Sequence, residues 1–143
     1  MKNNFKFSRN SKNNIKGVKK NLILLVERVL ANSPYDFGIP KYGGFRSPQL
    51  QNNLYHQRPK VTQLDGFKRK SYHQTGNAFD IFIFHDEKAC WDCPEKYKAV
   101  WKIVKIEFAI MQAEGLFEKD EEIQWGGDWR RFKDLPHFQI KKV

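Results

Sequence analysis

Two histidines and an aspartate carry the chemistry of this chain: His73 and Asp80 in the run Ser71-Tyr72-His73-Gln74-Thr75-Gly76-Asn77-Ala78-Phe79-Asp80, and His137 far downstream after Pro136. Two imidazoles and one carboxylate can share a zinc ion, and three protein ligands leave a fourth tetrahedral position for water, as in a catalytic rather than a structural site. The odd offset between His73 and Asp80 would point them to opposite faces of one continuous strand, so the chain must turn between them, and Thr75-Gly76 supplies the turn. Asp80 is the only polar group in the run Ala78 to Phe84. A buried carboxylate without a partner costs several kcal/mol, on the order of what a metal or an ion pair offsets. A zinc ion lowers the pKa of its water toward about 7 and polarises a carbonyl, which is what peptide hydrolysis requires. Asp134, three residues before His137 and next to the stiffening Pro136, is the candidate general base. Arg46 is the candidate to stabilise a developing oxyanion. Trp125 and Trp129 flank a Gly-Gly turn and are candidates for a substrate groove or for packing, and Asp128 is a candidate partner for a ligand imidazole.

These residues need a scaffold. Apolar positions Leu22, Leu25, Val26, Val29 and Leu30 predict a first helix over Lys19 to Ala31, ended by Asn32-Ser33-Pro34. Ser47-Pro48 reads as a cap and first turn of a second helix running to about Tyr55. Residues 56 to 70 read as a polar, basic surface loop. Ala78 to Phe84 predicts one central strand covered on both faces. A long helix starts at Asp92-Cys93-Pro94-Glu95, its stripe of Tyr97, Val100, Trp101, Val104, Phe108 and Met111 forming the main core element, with Gly115 at its end. His137 to Ile140 closes the chain as a strand.

The chain has 143 residues, the common size of one domain, and no repeat or linker divides it. A single catalytic domain over 1–143 is expected, with a basic N-terminal segment and no separate binding domain. Its net charge is +10. Lys2, Lys6, Arg9, Lys12, Lys16, Lys19 and Lys20 open the chain without an acid among them, which suits a polyanionic partner: nucleic acid, lipid headgroups or a bacterial envelope polymer. The early apolar run Leu22 to Val26 is far short of the ~20 residues that span a bilayer. No signal peptide is read, so synthesis as a cytosolic protein is expected.

The ordered blocks resemble the zinc peptidases that include bacterial D-Ala-D-Ala carboxypeptidases and dipeptidases and phage L-alanyl-D-glutamate endopeptidase endolysins. The signature Ser-x-His-x-x-Gly-x-Ala-x-Asp is met at Ser71, His73, Gly76, Ala78 and Asp80. Trp125-Gly126-Gly127-Asp128-Trp129 and Asp134-Leu135-Pro136-His137-Phe138 match the second block, and Asp36-Phe37-Gly38-Ile39 with Gly43-Gly44-Phe45-Arg46-Ser47 resembles the endolysin branch. The resemblance runs from about Phe7 to Gln139. It implies an α+β fold of the D-Ala-D-Ala carboxypeptidase and hedgehog-like type, with a small antiparallel sheet carrying one zinc on His73, Asp80 and His137. It also implies Asp134 as base and Arg46 at the oxyanion. Ser71, Trp125 and Asp128 are further substrate-side candidates, read from the residues themselves. The implied substrate is the peptidoglycan stem peptide, cut between L-alanine and D-glutamate by a monomer that reaches the wall once the membrane is opened. The basic surface would hold it on the anionic envelope.

Two features lie outside that pattern. Cys90-Trp91-Asp92-Cys93 supplies half of a structural zinc site and is read as core or loop cysteines. Glu118, Asp120, Glu121 and Glu122 could recruit calcium, but no dedicated spacing is present and a solvated acidic loop is the preferred reading. The rival functions are a thiol oxidoreductase built on Cys-x-x-Cys, which leaves the histidines idle, and a basic nucleic-acid-binding module, for which no recognised motif accompanies the charge.

Overall fold

In a computed structural model, residues 3–143 are described, and Lys2 of the basic segment lies outside them. Ser8 caps a short helix α1 (Arg9–Asn14), its hydroxyl accepting from the Ser11 amide at 3.1 Å. Helix α2 (Lys20–Asn32) buries the expected stripe of Leu22, Leu25, Val26, Val29 and Leu30. Strand β1 (Asp36–Gly38) follows, then α3 (Pro48–His56), where the Ser47 hydroxyl accepts from Leu50 N and Pro48 occupies the first turn as anticipated. Helix α4 (Pro94–Ala113) buries Tyr97, Val100, Trp101, Val104, Phe108 and Met111 and packs along α2, so that two amphipathic stripes form the centre of the core. No helix among the described residues is long and apolar enough to cross a membrane.

The strands form two antiparallel three-stranded sheets. One has the order β1-β3-β4, with β3 at Phe82–His85 and β4 at Lys88–Cys90. The other has the order β2-β6-β5, with β2 at Ala78–Asp80, β5 at Glu121–Trp125 and β6 at His137–Lys142. The fold is α+β.

The single strand expected over Ala78 to Phe84 is two strands. Ile81, fully buried, breaks the run by donating its N–H to Pro136 O at 2.9 Å, and the chain passes from one sheet to the other. Nor are both faces covered, because Phe84 is exposed. An unbroken apolar run has the same composition whether it pairs with one partner throughout or changes partners midway, so periodicity alone misses the switch. Cys90 and Cys93 are also not free: the end of β4 turns directly into the start of α4 with their Cα atoms 6.2 Å apart, and the two are joined by a disulfide.

The loop after α3 is anchored rather than loose. The buried amide of Gln51 donates to Thr62 Oγ1 and Leu64 O at 3.0 and 2.9 Å, and Asn52 donates to Asp65 O at 2.9 Å.

Candidate metal centre

Sheet pairing decides which side chains meet. Asp80 is the register partner of His137 across β2 and β6, so both project from the same face of that sheet. His73 arrives from a 3-10 turn, Tyr72–Thr75, that is fixed at both ends. The Ser71 hydroxyl accepts from His73 N at 3.2 Å, and Gln74 Oε1 accepts from Ser71 N at 2.9 Å in a capping box. Gly76, at φ 73°, then takes the left-handed conformation that returns the chain toward β2. This is the turn that the spacing of His73 and Asp80 demanded.

The three side chains converge on one point. Asp80 Oδ1 lies 3.2 Å from His73 Nε2 and 3.1 Å from His137 Nδ1, and the two nitrogens are 3.2 Å apart. His73 is 2% and His137 6% exposed. Tetrahedral zinc with bonds of about 2.0–2.1 Å places its ligand atoms about 3.3 Å from one another, so the triangle has the dimensions of one face of such a site.

The outer hydrogen bonds make the case chemically. His73 Nδ1 lies 2.8 Å from Gly44 O, a group that can only accept, so Nδ1 carries the proton and Nε2 presents a lone pair inward. His137 Nε2 lies 2.7 Å from Gln139 Oε1, while Gln139 Nε2 donates to Gln124 Oε1 at 3.0 Å. In the neutral ring of His137 this favours the proton on Nε2, and Nδ1 then also points a lone pair inward. With a carboxylate oxygen as the third vertex, three acceptors face one another when both rings are neutral, an arrangement that a metal cation between them would satisfy. Among the described residues these are the one group of three or more His, Cys, Asp or Glu side chains that could hold a metal ion.

Arg46 completes the charge pattern. Its Nη2 meets Asp80 Oδ2 at 3.1 Å, its Nη1 donates to Gln51 Oε1 at 3.0 Å and its Nε to Tyr42 O at 2.8 Å. Its backbone N–H donates to His73 O at 3.1 Å, tying the arginine to the turn that carries His73. Three of the five guanidinium N–H groups are thus engaged, leaving one on each terminal nitrogen.

Burial would raise Asp80, but the imidazoles of His73 and His137 hold its carboxyl well below the usual carboxylate range. Burial drives His73 down. Burial acts on His137 in the same direction, yet the Asp80 carboxylate, which would accept a hydrogen bond from the doubly protonated ring and attracts its charge, leaves it raised. Asp134 is pushed up to about 6, first by burial and then by the negative charge of Asp80, against the pull of His137 and Arg46. It is held through its backbone, whose N–H donates to Gly126 O at 3.0 Å and whose carbonyl accepts from His137 N at 3.2 Å.

The remaining candidates fall elsewhere. The Ser71 hydroxyl caps the His73 turn. Trp125 is buried, its indole donating to Leu135 O at 2.7 Å beside Trp101. Trp129 is the tryptophan next to the centre, its ring 5.4 Å from that of His137. Asp128 is exposed, and both outer imidazole nitrogens have other partners. Glu121 of the acidic run accepts from Glu118 N at 2.7 Å, bracing the approach to β5. Sequence reasoning missed Gln51, Gln124 and Gln139. Only Gln139 left a signal, since it lies two residues after His137 on the same face of a strand.

The family described as phage L-alanyl-D-glutamate peptidase matches residues 3–142, and the chain belongs to it. The chain is 34% identical over 131 residues to the peptidoglycan L-alanyl-D-glutamate endopeptidase CwlK of Bacillus subtilis (strain 168), covering 86% of this chain and 71% of that protein. It is 32% identical over 139 residues to the L-alanyl-D-glutamate peptidase of Escherichia phage T5, covering 96% and 90%. The crystal structure of the Serratia marcescens L-Ala D-Glu endopeptidase ChiX superposes with a TM-score of 0.72 over 96% of this chain and 92% of that one, at 24% identity, a likeness of fold. The protein is an enzyme, a peptidase of the L-alanyl-D-glutamate class.

Proposed function

We propose that the chain is a zinc endopeptidase that hydrolyses the stem peptide of bacterial peptidoglycan between L-alanine and D-glutamate, as the endolysin of a phage or prophage. The convergence of three lone pairs from His73, Asp80 and His137 on one point carries this reading, and the relatives above supply the bond. When bound there, zinc supplies Lewis acidity, acidifying water and polarising the scissile carbonyl. Asp134 is the general base, its raised pKa poised to take a proton from the attacking water and return it to the leaving amine of D-glutamate. Arg46 presents its two unengaged N–H groups to the oxyanion while neutralising Asp80. The net charge of +10 favours retention on an anionic envelope, where the substrate lies.

Mass spectrometry of peptidoglycan digests tests the proposal. The native protein is expected to create new glutamate N-termini and Asp134→Ala to create none. Free D-alanine instead would move the enzyme to carboxypeptidase chemistry, and full activity of Asp134→Ala would remove the assigned base.

A further inference from the structure

Beyond the ligands, one face of the second sheet carries a continuous line of side chains that the reaction does not consume. Asp80 on β2, His137 and Gln139 on β6, and Gln124 and Glu122 on β5 share this face. The register pairs Asp80 with His137 and Gln124 with Gln139, and residues two apart on a strand point the same way. The side chains are linked in order: His137 Nε2 to Gln139 Oε1 at 2.7 Å, Gln139 Nε2 to Gln124 Oε1 at 3.0 Å, and Gln124 Nε2 to Glu122 Oε1 at 2.8 Å.

The direction of this line is not free. An amide can offer either its oxygen or its nitrogen to a neighbour, but the Glu122 carboxylate can only accept. Glu122 therefore draws the amino group of Gln124 toward itself, which turns the oxygen of Gln124 toward Gln139. The same step repeats at Gln139, whose oxygen then faces His137. The last acceptor in the line, at the shorter distance of 2.7 Å, draws the proton of the neutral ring to His137 Nε2 and leaves Nδ1 bare toward His73 and toward Asp80, whose carboxylate at 3.1 Å competes for that proton. A free imidazole with exchangeable tautomers would present the wrong nitrogen part of the time, and each such moment removes one ligand from the centre.

We propose that Glu122, Gln124 and Gln139 form a relay that fixes the tautomer of His137, with Gln139 the positioning residue that sets zinc affinity from outside the ligand set. The proposal rests on the zinc reading above, but it concerns a property of the protein that exists before any ion binds. Gln139 is half-buried and Glu122 exposed, so control over the tautomer is strongest at Gln139 and weakens toward Glu122.

The test uses the full chain, stripped of metal, in wild-type, Gln139→Leu, Gln139→Glu and Glu122→Ala forms. Nitrogen-15 NMR of the histidine rings at alkaline pH reads the tautomer of His137 without metal, and competition with a chromophoric chelator reads the affinity for added zinc. Wild type is expected to be protonated at Nε2. Gln139→Leu is expected to show mixed tautomers and to bind zinc roughly 10- to 100-fold more weakly, the usual effect of removing an outer partner of a ligand imidazole. Gln139→Glu keeps an acceptor at the same place and should restore both readouts, which a merely structural role for Gln139 would not require. Glu122→Ala should lie between wild type and Gln139→Leu. A His137 that stays protonated at Nε2 in Gln139→Leu, with unchanged zinc affinity, overturns the relay. Should Gln139→Leu not fold, a Glu122→Ala protein indistinguishable from wild type in both measurements overturns it equally. Failure of wild type to bind zinc with the expected tautomer present would count against the zinc reading and not against the relay.

Discussion

Arg46 and Asp80 form an ion pair in which one carboxylate oxygen, Oδ2, meets Nη2 at 3.1 Å while the other, Oδ1, is shared by two imidazoles. Arg46 thus both compensates a half-buried carboxylate and keeps one N–H on each terminal nitrogen unengaged, the donors assigned to the oxyanion in the proposed mechanism. Lysine can do one of these but not both, because it lacks the planar fork that simultaneously reaches Tyr42 O, Gln51 and Asp80. Arg46→Lys should lower kcat about 100-fold or more, the scale of losing an oxyanion donor. A kcat within a factor of a few of wild type, in an assay on a soluble stem peptide, would remove Arg46 from the chemistry.

Asp134 should trade stability for activity. Its pKa in the folded protein, about 6, lies above the ordinary 3.8, so the folded state holds the proton more tightly than the unfolded chain. That contribution is fully present below the unfolded value and is lost as pH rises through about 6. At neutral pH the metal-free protein therefore carries a charged Asp134 at a cost of up to about 3 kcal/mol. Asp134→Asn should raise the Tm of the metal-free protein at neutral pH, have little effect on it in acid, and reduce hydrolysis by about 100- to 10,000-fold. Thermal melts across pH with a parallel lysis assay check both halves, and an unchanged Tm at neutral pH would contradict the burial argument.

Much of the centre was legible because its parts obey local rules. His73 and Asp80 could not share a strand face at their spacing, so a turn was required, and Gly76 provides it. The stripes of α2 and α4 follow directly from helical spacing. The division of Ala78–Phe84 between two sheets was not legible, because what separates β2 from β3 is the contact of Ile81 with Pro136, a long-range event. Gln51 was equally hidden: a polar residue in a polar helix gives no sign that its amide will be buried between Arg46 and the following loop.

The disulfide between Cys90 and Cys93 should be dispensable for hydrolysis. It closes a very short loop at the head of α4, for which the chain-entropy model gives about 2 kcal/mol. Replacing both cysteines with serine should leave peptidoglycan hydrolysis within about 2-fold at temperatures well below unfolding, where a stability loss of that size leaves most molecules folded. Abolished hydrolysis in a folded double variant would revive the thiol chemistry that Cys-x-x-Cys suggests.

Gly126 offers a test of how tightly the proposed base, Asp134, must be placed. Its α-carbon packs so closely on Asp134 that an added β-carbon would strike the Asp134 carbonyl, and its own carbonyl accepts the Asp134 N–H at 3.0 Å. The obstruction is backbone on both sides, so it cannot be relieved by turning a side chain, and the segment from Asp134 to His137 must move. Overpacking of this kind costs roughly 1–3 kcal/mol, and a displacement near 1 Å at a reacting group costs about 100-fold in rate. Gly126→Ala should therefore lower kcat by one to two orders of magnitude while leaving all three candidate ligands and the base chemically intact. Zinc affinity separates the routes: because His137 N donates to Asp134 O, a shift that reaches His137 weakens the metal, whereas one confined to Asp134 spares it. Near-wild-type kcat in a folded Gly126→Ala protein would show that the base tolerates displacement and that its placement is looser than this contact implies.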